Sequence, residues 1–331
     1  MIDLNGKRVL ITGTSGFIAQ NFLATLEGMY PNIGLVMCMD YAPAFNLRQH
    51  FSKEFYDNKI VDLSHTRIER YAFSPDVDRY DVIFNFAAES HVDRSISDPL
   101  TFATNLTSTM ALLNHVVCEK EKGHNIQMIQ ISTDEVYGHH LTTSAKPHTE
   151  DSQLQPRNPY AASKAAADLM CEAYVSTYDI DVLVTRCTNN FGIYQRTEKF
   201  IPTIISKLVA GEKIPVYGEG DNIREWIHVD DHCKSILEIA GEHTRGVHNI
   251  SGGTPKNNLE LVQDILTAYN KLVPESEKTM VNSVEFVDDR KGHDKIYAIT
   301  SKYYLRGFET VPYEDAIDEI VKHYVAYYKG Q

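Results

Sequence analysis

Arg8-Val9-Leu10-Ile11-Thr12-Gly13-Thr14-Ser15-Gly16-Phe17-Ile18-Ala19 is the stretch on which the fold turns. Arg8 to Thr12 is a short apolar run of the kind buried on both faces of a parallel sheet. Gly13-Thr14-Ser15-Gly16 follows at once, and from Phe17 to Leu26 apolar residues recur at helical spacing. A strand that passes through two glycines into a helix lets the backbone turn sharply and approach a pyrophosphate, whose charge the helix N-terminus stabilises. A plain strand-to-helix turn shares this pattern, so the end of the next strand matters. Ile33 to Met39 reads as that strand, and Asp40 ends it. An acid there binds both ribose hydroxyls and repels a 2′-phosphate, which points to NAD over NADP. Asp62, after a short third strand at Lys59 to Val61, is placed to meet an adenine edge; a lone surface aspartate would look the same.

The same alternation continues. Asp81 to Ala87, Ile126 to Ser132 and Asp181 to Arg186 read as strands, with helices at Phe102 to Glu121 and Pro159 to Tyr178. Such alternation predicts an α/β fold, a Rossmann-type doubly wound parallel sheet. After Asn190 the rhythm breaks into Pro, Gly and polar clusters, with helices expected at Asp231 to Ala240, Leu259 to Leu272 and Tyr313 to Tyr328. Val247 to Ile250 reads as a strand returning to the sheet. The expected division is residues 1–190 as a dinucleotide-binding domain carrying the catalytic residues. Residues 191–331 form a smaller, partly interleaved substrate lobe.

The bulk numbers narrow the function classes. A chain of 331 residues with 43% hydrophobic residues buries a large core, and 45 acidic against 32 basic residues leave a net charge of −13. That surface argues against nucleic-acid or bilayer binding, while local cations and helix N-termini still suit a diphosphate. The 5 cysteines are scattered without a Cys-x-x-Cys pair and read as reduced thiols of a cytoplasmic protein. No metal site is expected.

Three further motifs carry a resemblance. Gly13-x-x-Gly16-x-x-Ala19, Asn85-x-Ala87-Ala88 and Tyr160-x-x-x-Lys164 together resemble the extended short-chain dehydrogenase/reductase family over nearly the whole chain. Ser132-Thr133-Asp134-Glu135-Val136-Tyr137-Gly138 closes the fifth strand, at the carboxyl end of the sheet where α/β enzymes place their sites. Its Asp-Glu pair is similar to that of the nucleotide-sugar 4,6-dehydratases, whereas epimerases and decarboxylases of the same family lack it. Ala87 to Ser95, Asn189-Asn190-Phe191-Gly192, Glu198 to Pro202 and Asp289 to Asp294 fit the same subgroup.

The resemblance implies roles. Tyr160 and Lys164, four apart on one helix face, would form the oxidation pair. A tyrosine of pKa about 10 needs its phenolate favoured, by the ammonium and by a positive nicotinamide. Thr133 would bond a substrate hydroxyl. Glu135 would be the C5 base and Asp134 the C6 acid, its carboxyl kept neutral by burial and by its neighbour. Cofactor contacts are implied at Gly13, Ser15, Gly16, Phe17, Ile18 and Asp40, at Asp62 and Leu63, and at Phe86, Ala87, Ala88, Ser90, Thr104, Tyr160, Lys164 and Asn190. Substrate contacts are implied at Ser90, Thr133, Asn189, Lys199, Phe200, Arg224, Asn258, Asp289, Arg290 and His293. The two arginines are suited to a diphosphate, and Pro215-Val216-Tyr217 would line the base pocket. The implied reaction turns a nucleoside-diphosphate-glucose into its 4-keto-6-deoxy product. Thymidine is the first expectation for the base and uridine the alternative, since one methyl group separates them. A homodimer through the helices at 102–121 and 159–178 is also implied. A non-catalytic NAD-sensing module should have lost Tyr160 or Lys164, and neither is lost. Departures from the pattern are Lys291 in place of a proline, Ser108 in place of a glycine, an altered Ile193 to Thr197, and a loop after Asp40 that reads as shortened.

Overall fold

The computed structural model describes residues 1–331 apart from 42–46, 64, 72–78, 141, 143, 279–282, 302–309 and 331. Most of the loop after Asp40 therefore lies outside the described residues.

In the first half, strands and helices alternate. Strand β1 is Arg8–Thr12, helix α1 Phe17–Met29, β2 Leu35–Met39, α2 Lys53–Lys59, β3 Ile60–Leu63, β4 Val82–Asn85 and α3 Val92–Ser97. Then come α4 at Thr104–Glu121, β5 at Gln127–Thr133, α5 at Pro159–Tyr178, β6 at Asp181–Cys187 and β7 at Asn189–Phe191. The second half has α6 at Phe200–Ala210, β8 at Ile214–Tyr217, β9 at Ile223–His228, α7 at Val229–Glu242, β10 at Gly246–Ile250 and β11 at Thr254–Asn257. It ends with α8 at Asn258–Leu272, β12 at Val284–Val287 and α9 at Tyr313–Lys329.

The main sheet has 7 strands in the order β10-β6-β5-β4-β1-β2-β3, all of them parallel. Its helices cover both faces, so strand residues alternate between two cores. Val9 and Ile11 point into one with Phe22, Leu23 and Leu26 of α1 and Ile236 and Leu237 of α7. Leu10, Met128 and Val182 point into the other with Leu112, Leu113 and Val116 of α4 and Cys171 of α5. The strand order reverses between β1 and β4, which opens the crevice where such sheets bind ligands.

A separate core joins α6, α8 and α9 through Ile204, Ile205, Ile265, Leu266, Ile320 and Val321. Small sheets β11-β9-β7 and β12-β8 accompany it. From the second half, α7 and the strand at 247–250, seen as β10 beside β6, add to the main sheet and its core.

The differences from the sequence reading have local causes. The third strand starts one residue late and takes in Asp62 and Leu63. The fourth ends at Asn85, because Phe86 to Ala88 leave the sheet at the crevice. Helix α6 is absent from the sequence reading; its Pro202 sits in the first turn, where its missing N–H costs nothing. Strands β7 to β9, β11 and β12 run only three to six residues and depend on distant partners.

Candidate active site

The crevice begins at the glycine turn. Gly13 has φ +69°, and a Cβ there would lie 2.7 Å from the Ala87 backbone, so the ends of β1 and β4 meet at a distance that only glycine permits. Thr12 and Asn85 tie the two strands further: the Thr12 hydroxyl donates to Asn85 Oδ1 at 2.6 Å, and Asn85 Nδ2 donates to Gln130 Oε1 at 2.7 Å. Gly16 caps α1, and Phe17 and Ile18 open that helix against the core. Asp40 stands at the same turn, its Oδ2 accepting the Ser15 N–H at 2.7 Å. Gly13, Ser15, Gly16, Asp40 and Ala87 thus converge, and the close cradle with a carboxylate at its rim fits a dinucleotide bearing a free ribose. Ala88 and Ser90 are exposed beyond β4. Leu63 and Asp62 lie on β3, and Thr104 opens α4 with its hydroxyl on Glu69 at 3.3 Å. Asn190 is turned to the protein, its Oδ1 2.8 Å from His232 Nδ1; burial lowers that imidazole to about 3, so the ring is neutral.

The second part of the site stands at the end of β5. Thr133 caps a 3₁₀ turn, Asp134–Tyr137, by accepting the Glu135 N–H. Gly138, with φ +80°, ends the turn where a Cβ would meet the Gln155 carbonyl at 2.4 Å. Asp134 is 2% exposed. Its Oδ1 takes the Thr133 hydroxyl at 3.3 Å, and its Oδ2 has no partner among the described residues. Burial first, then the charges of Glu135 and Glu225, push this carboxyl well above its usual range, against the pull of Arg224. That shift favours the protonated form of Asp134 beside Glu135.

Glu135 is held from two sides. Its Oε2 accepts from Asn158 Nδ2 at 3.3 Å and from the Tyr297 hydroxyl at 3.4 Å. Asn158 also caps α5 through its amide oxygen, which accepts the Ala161 N–H at 2.8 Å ahead of Pro159 in the first turn. One residue thus starts the helix that carries Tyr160 and Lys164 and orients the neighbouring carboxylate.

Tyr160 and Lys164 share the buried face of α5. The lowering of the phenol expected from Lys164 is not what the folded chain shows. Burial, then Glu135, hold the phenol well above 10, with a Thr133 hydrogen bond pulling the other way. Lys164 Nζ instead donates to the Ile131 carbonyl at 2.6 Å. Burial lowers its pKa, while Asp168 opposes the shift.

The lobe supplies cations. Arg224 is buried, its guanidinium 4.3 Å over the Tyr297 ring and bonded to the carbonyls of Ile223, Asp294 and Lys295. Lys199 donates to the Ser90 carbonyl at 2.9 Å and is close enough to Glu135 and Arg290 to feel both charges. Arg290 Nη1 is 3.9 Å from Asp93 Oδ1, and its Nε is buried without a hydrogen-bond partner among the described residues. His293 Nδ1 lies 2.6 Å from Asp289 Oδ1; burial and Arg290 lower it to about 4. Tyr217 reaches Asp93 and the His293 ring. The Val216 side chain, by contrast, is fully buried in the lobe core. Asn189 lies on β7 opposite Trp226, Pro215 lies on β8, and Phe200 and Asn258 open α6 and α8.

Residues 10–309 match the family described as GDP-mannose 4,6 dehydratase. The chain belongs to that family. Among similar proteins, the low-salt glycan biosynthesis protein Agl12 of Haloferax volcanii is 40% identical over 326 residues, covering 96% of this chain and 98% of its own. A dTDP-glucose 4,6-dehydratase of Streptomyces griseus is 36% identical over 332 residues, covering 97% and 94%. Among solved structures, DesIV, a dTDP-glucose 4,6-dehydratase from Streptomyces venezuelae with NAD and TYD bound, superposes with a TM-score of 0.82 at 36% identity and 96% coverage of both chains.

Asn158 and Tyr297 were not singled out from the sequence. Asn158 carries a legible signal, a cap residue before a proline at the start of a helix. Tyr297 sits in an irregular segment with no periodicity, and only the fold brings it to Glu135.

The protonation of Asp134 has a consequence for stability. A carboxyl whose folded pKa is raised contributes stability that is fully present below its unfolded value of about 3.9, and loses it as pH rises through the folded pKa. Asp134→Asn cannot ionise, so it is expected to melt above the parent chain at alkaline pH, with the gap closing toward about pH 4. Calorimetric melts across that range check this; a gap independent of pH would detach the carboxyl's proton from folding.

Proposed function

We propose that this chain is an NAD-dependent hydro-lyase that dehydrates dTDP-glucose to its 4-keto-6-deoxy product. The observation that carries the reading is Asp134, a buried carboxyl that keeps its proton, beside Glu135 and within the electrostatic reach of Tyr160. An acid and a base side by side next to an oxidation pair suit elimination after oxidation. Gly13, Ser15, Gly16, Asp40 and the Ala87-Ala88 segment would hold NAD, which when bound would supply a hydride acceptor for C4 and, once reduced, a hydride donor for C6. Tyr160, bonded to Thr133, takes the proton of the C4 hydroxyl. The ketone formed acidifies the C5 proton, and Glu135 removes it. Asp134 protonates the C6 hydroxyl, which leaves as water, and Glu135 returns its proton to C5. Lys164 provides the positive charge behind Tyr160. Arg290, whose Nε has no partner among the described residues, together with Arg224 and Lys199, offsets the diphosphate charge, and Tyr217 stands at the base end.

A panel of nucleoside-diphosphate-glucoses, assayed for the alkaline chromophore of a 4-keto sugar, tests the reading. The thymidine substrate is expected to react fastest. A uridine preference would change the base only, whereas an epimerised product without the chromophore would overturn the elimination.

Asp40 should make the protein prefer NAD. Reconstitution with each dinucleotide, or identification of the nucleotide released on denaturation, checks this; a clear NADP preference would overturn the role given to Asp40.

The division of labour proposed is a dinucleotide half through residue 190 and a substrate lobe beyond it that returns α7 and β10 to the sheet. A cytoplasmic location is proposed with it; among the described residues no helix is long and apolar enough to cross a membrane. The chain is proposed to pair through α4 and α5. Leu169 is 54% exposed on α5, and Ala162 and Ala173 are exposed on the same helix. An apolar stripe of this kind suits a self-complementary contact. Light scattering at micromolar concentration is expected to give the dimer mass, and a monomer mass rules the pairing out.

A further inference from the structure

Behind the site lies a charged network that the proposed chemistry does not use. Asp168 is one turn beyond Lys164 on α5 and is wholly buried. Its Oδ2 accepts the Ser132 hydroxyl at 2.9 Å and Arg186 Nε at 2.9 Å. Arg186, on β6, is 2% exposed. Its Nη1 donates to the Tyr137 hydroxyl at 2.9 Å, and its guanidinium carbon lies 4.9 Å from the centre of that ring. The Tyr137 hydroxyl in turn donates to Asn249 Oδ1 on β10 at 2.8 Å.

The positions of these contacts matter more than their number. Ser132 directly precedes Thr133-Asp134-Glu135, and Tyr137 closes the 3₁₀ turn that carries them. Asp168 therefore grips the chain just before the two carboxylates, and Arg186 grips it just after them. Asp168 belongs to α5, the helix that bears Tyr160 and Lys164, Arg186 on β6 is tied to that helix through Asp168, and Lys164 itself bonds β5 at Ile131.

A buried ion pair is a poor device for stability, because desolvation cancels much of its attraction and well-packed apolar residues often do as well. Its use is to fix one geometry among several of similar energy. Here the geometry fixed is the register between two chemical centres carried on different elements, β5 and α5.

We propose that Asp168, Arg186 and Tyr137 form a clamp that holds Asp134 and Glu135 in register with Tyr160, and that Arg186 and Tyr137 are positioning residues for the elimination half of the reaction. The proposal rests on the dehydratase reading above. With the clamp loosened, oxidation at C4 proceeds, since Tyr160 and Lys164 keep their helix. Proton removal at C5 and water loss at C6 slow, since the turn is free to shift. Misplacement of a reacting group by about 1 Å costs on the order of 10²-fold in rate.

Tyr137→Phe tests this with the smallest change, removing one hydroxyl and keeping the ring in the core. The holoenzyme is mixed with dTDP-glucose while NADH absorbance and C5 deuterium uptake from solvent are followed. The expected result is NADH appearance within about threefold of the parent chain, a KM little changed, and elimination slowed at least about tenfold, so that NADH accumulates. A double replacement, Asp168→Leu with Arg186→Met, removes both charges together and is expected to fold and to show the same accumulation. Equal slowing of oxidation and elimination in Tyr137→Phe would reduce the network to a structural role, and parent-like kinetics would remove the clamp altogether. If the parent chain forms no 4-keto product, the dehydratase reading fails and the clamp's role fails with it; if it does, the partition in Tyr137→Phe decides the clamp alone.

Discussion

Tyr160→Phe, the loss of a single oxygen, is expected to stop the reaction before any NADH is formed. The phenol is buried on α5 and bonded to Thr133. It is the group proposed to take the C4 hydroxyl proton, and loss of a positioned base typically costs roughly 10² to 10⁴ in rate. The ring itself stays, edge-on to Phe102 with centroids 6.3 Å apart, so the variant is expected to fold and to bind NAD and substrate as the parent does. Stopped-flow absorbance reads the outcome directly. Rapid NADH formation in Tyr160→Phe would assign the C4 proton to another group, with Thr133 the nearest candidate.

The folded chain by itself works against this phenolate, since burial and Glu135 both favour the protonated form. The positive ring of the oxidised cofactor is the charge that would reverse the balance. Activity is therefore expected to rise with pH through the phenol's ionisation in the holoenzyme. It should fall again where Asp134, which must hold its proton, loses it.

Glu135→Gln is expected to have the second large effect, at a different step. Oxidation at C4 should persist, because Tyr160, Lys164 and Thr133 are untouched. The amide oxygen can still accept from Asn158 or Tyr297, so the turn should keep its place. What is lost is the base for C5. Overall turnover should fall by roughly 10² to 10⁴, NADH should form and persist, and solvent deuterium should not enter C5. Mass spectrometry of the recovered sugar nucleotide, alongside NADH absorbance, measures both. Unchanged C5 exchange in Glu135→Gln would mean that the two carboxylates have been given each other's work.

Much of the architecture was legible because its signals are local. Arg8 to Ala19 carries strand, turn and helix in sequence, and Asp40 falls where the second strand must end. The strand at 247–250 carries β-branched residues at both ends, Val247 and Ile250. The structure adds where it returns: parallel to β6, at the edge of the main sheet. Strands β7, β8 and β12 left no such trace, being short pieces whose stability lies in partners far along the chain.

The sequence by itself determined the glycine turn, the acid after β2, the adjacent carboxylates after β5 and the four-residue spacing of Tyr160 and Lys164, because each depends on neighbours in the chain. Only the tertiary structure decided how those groups are charged and held. Asp134 holds its proton more tightly than a free carboxyl because folding buries it beside Glu135 and Glu225, the second of which comes from β9. Glu135 is oriented by Asn158 and Tyr297, which lie 23 and 162 residues away. Lys164 faces a carbonyl of β5 rather than the phenol one turn back. Proton affinity and side-chain direction are set by the dielectric and the charges that surround a group, and a linear sequence does not contain those distances.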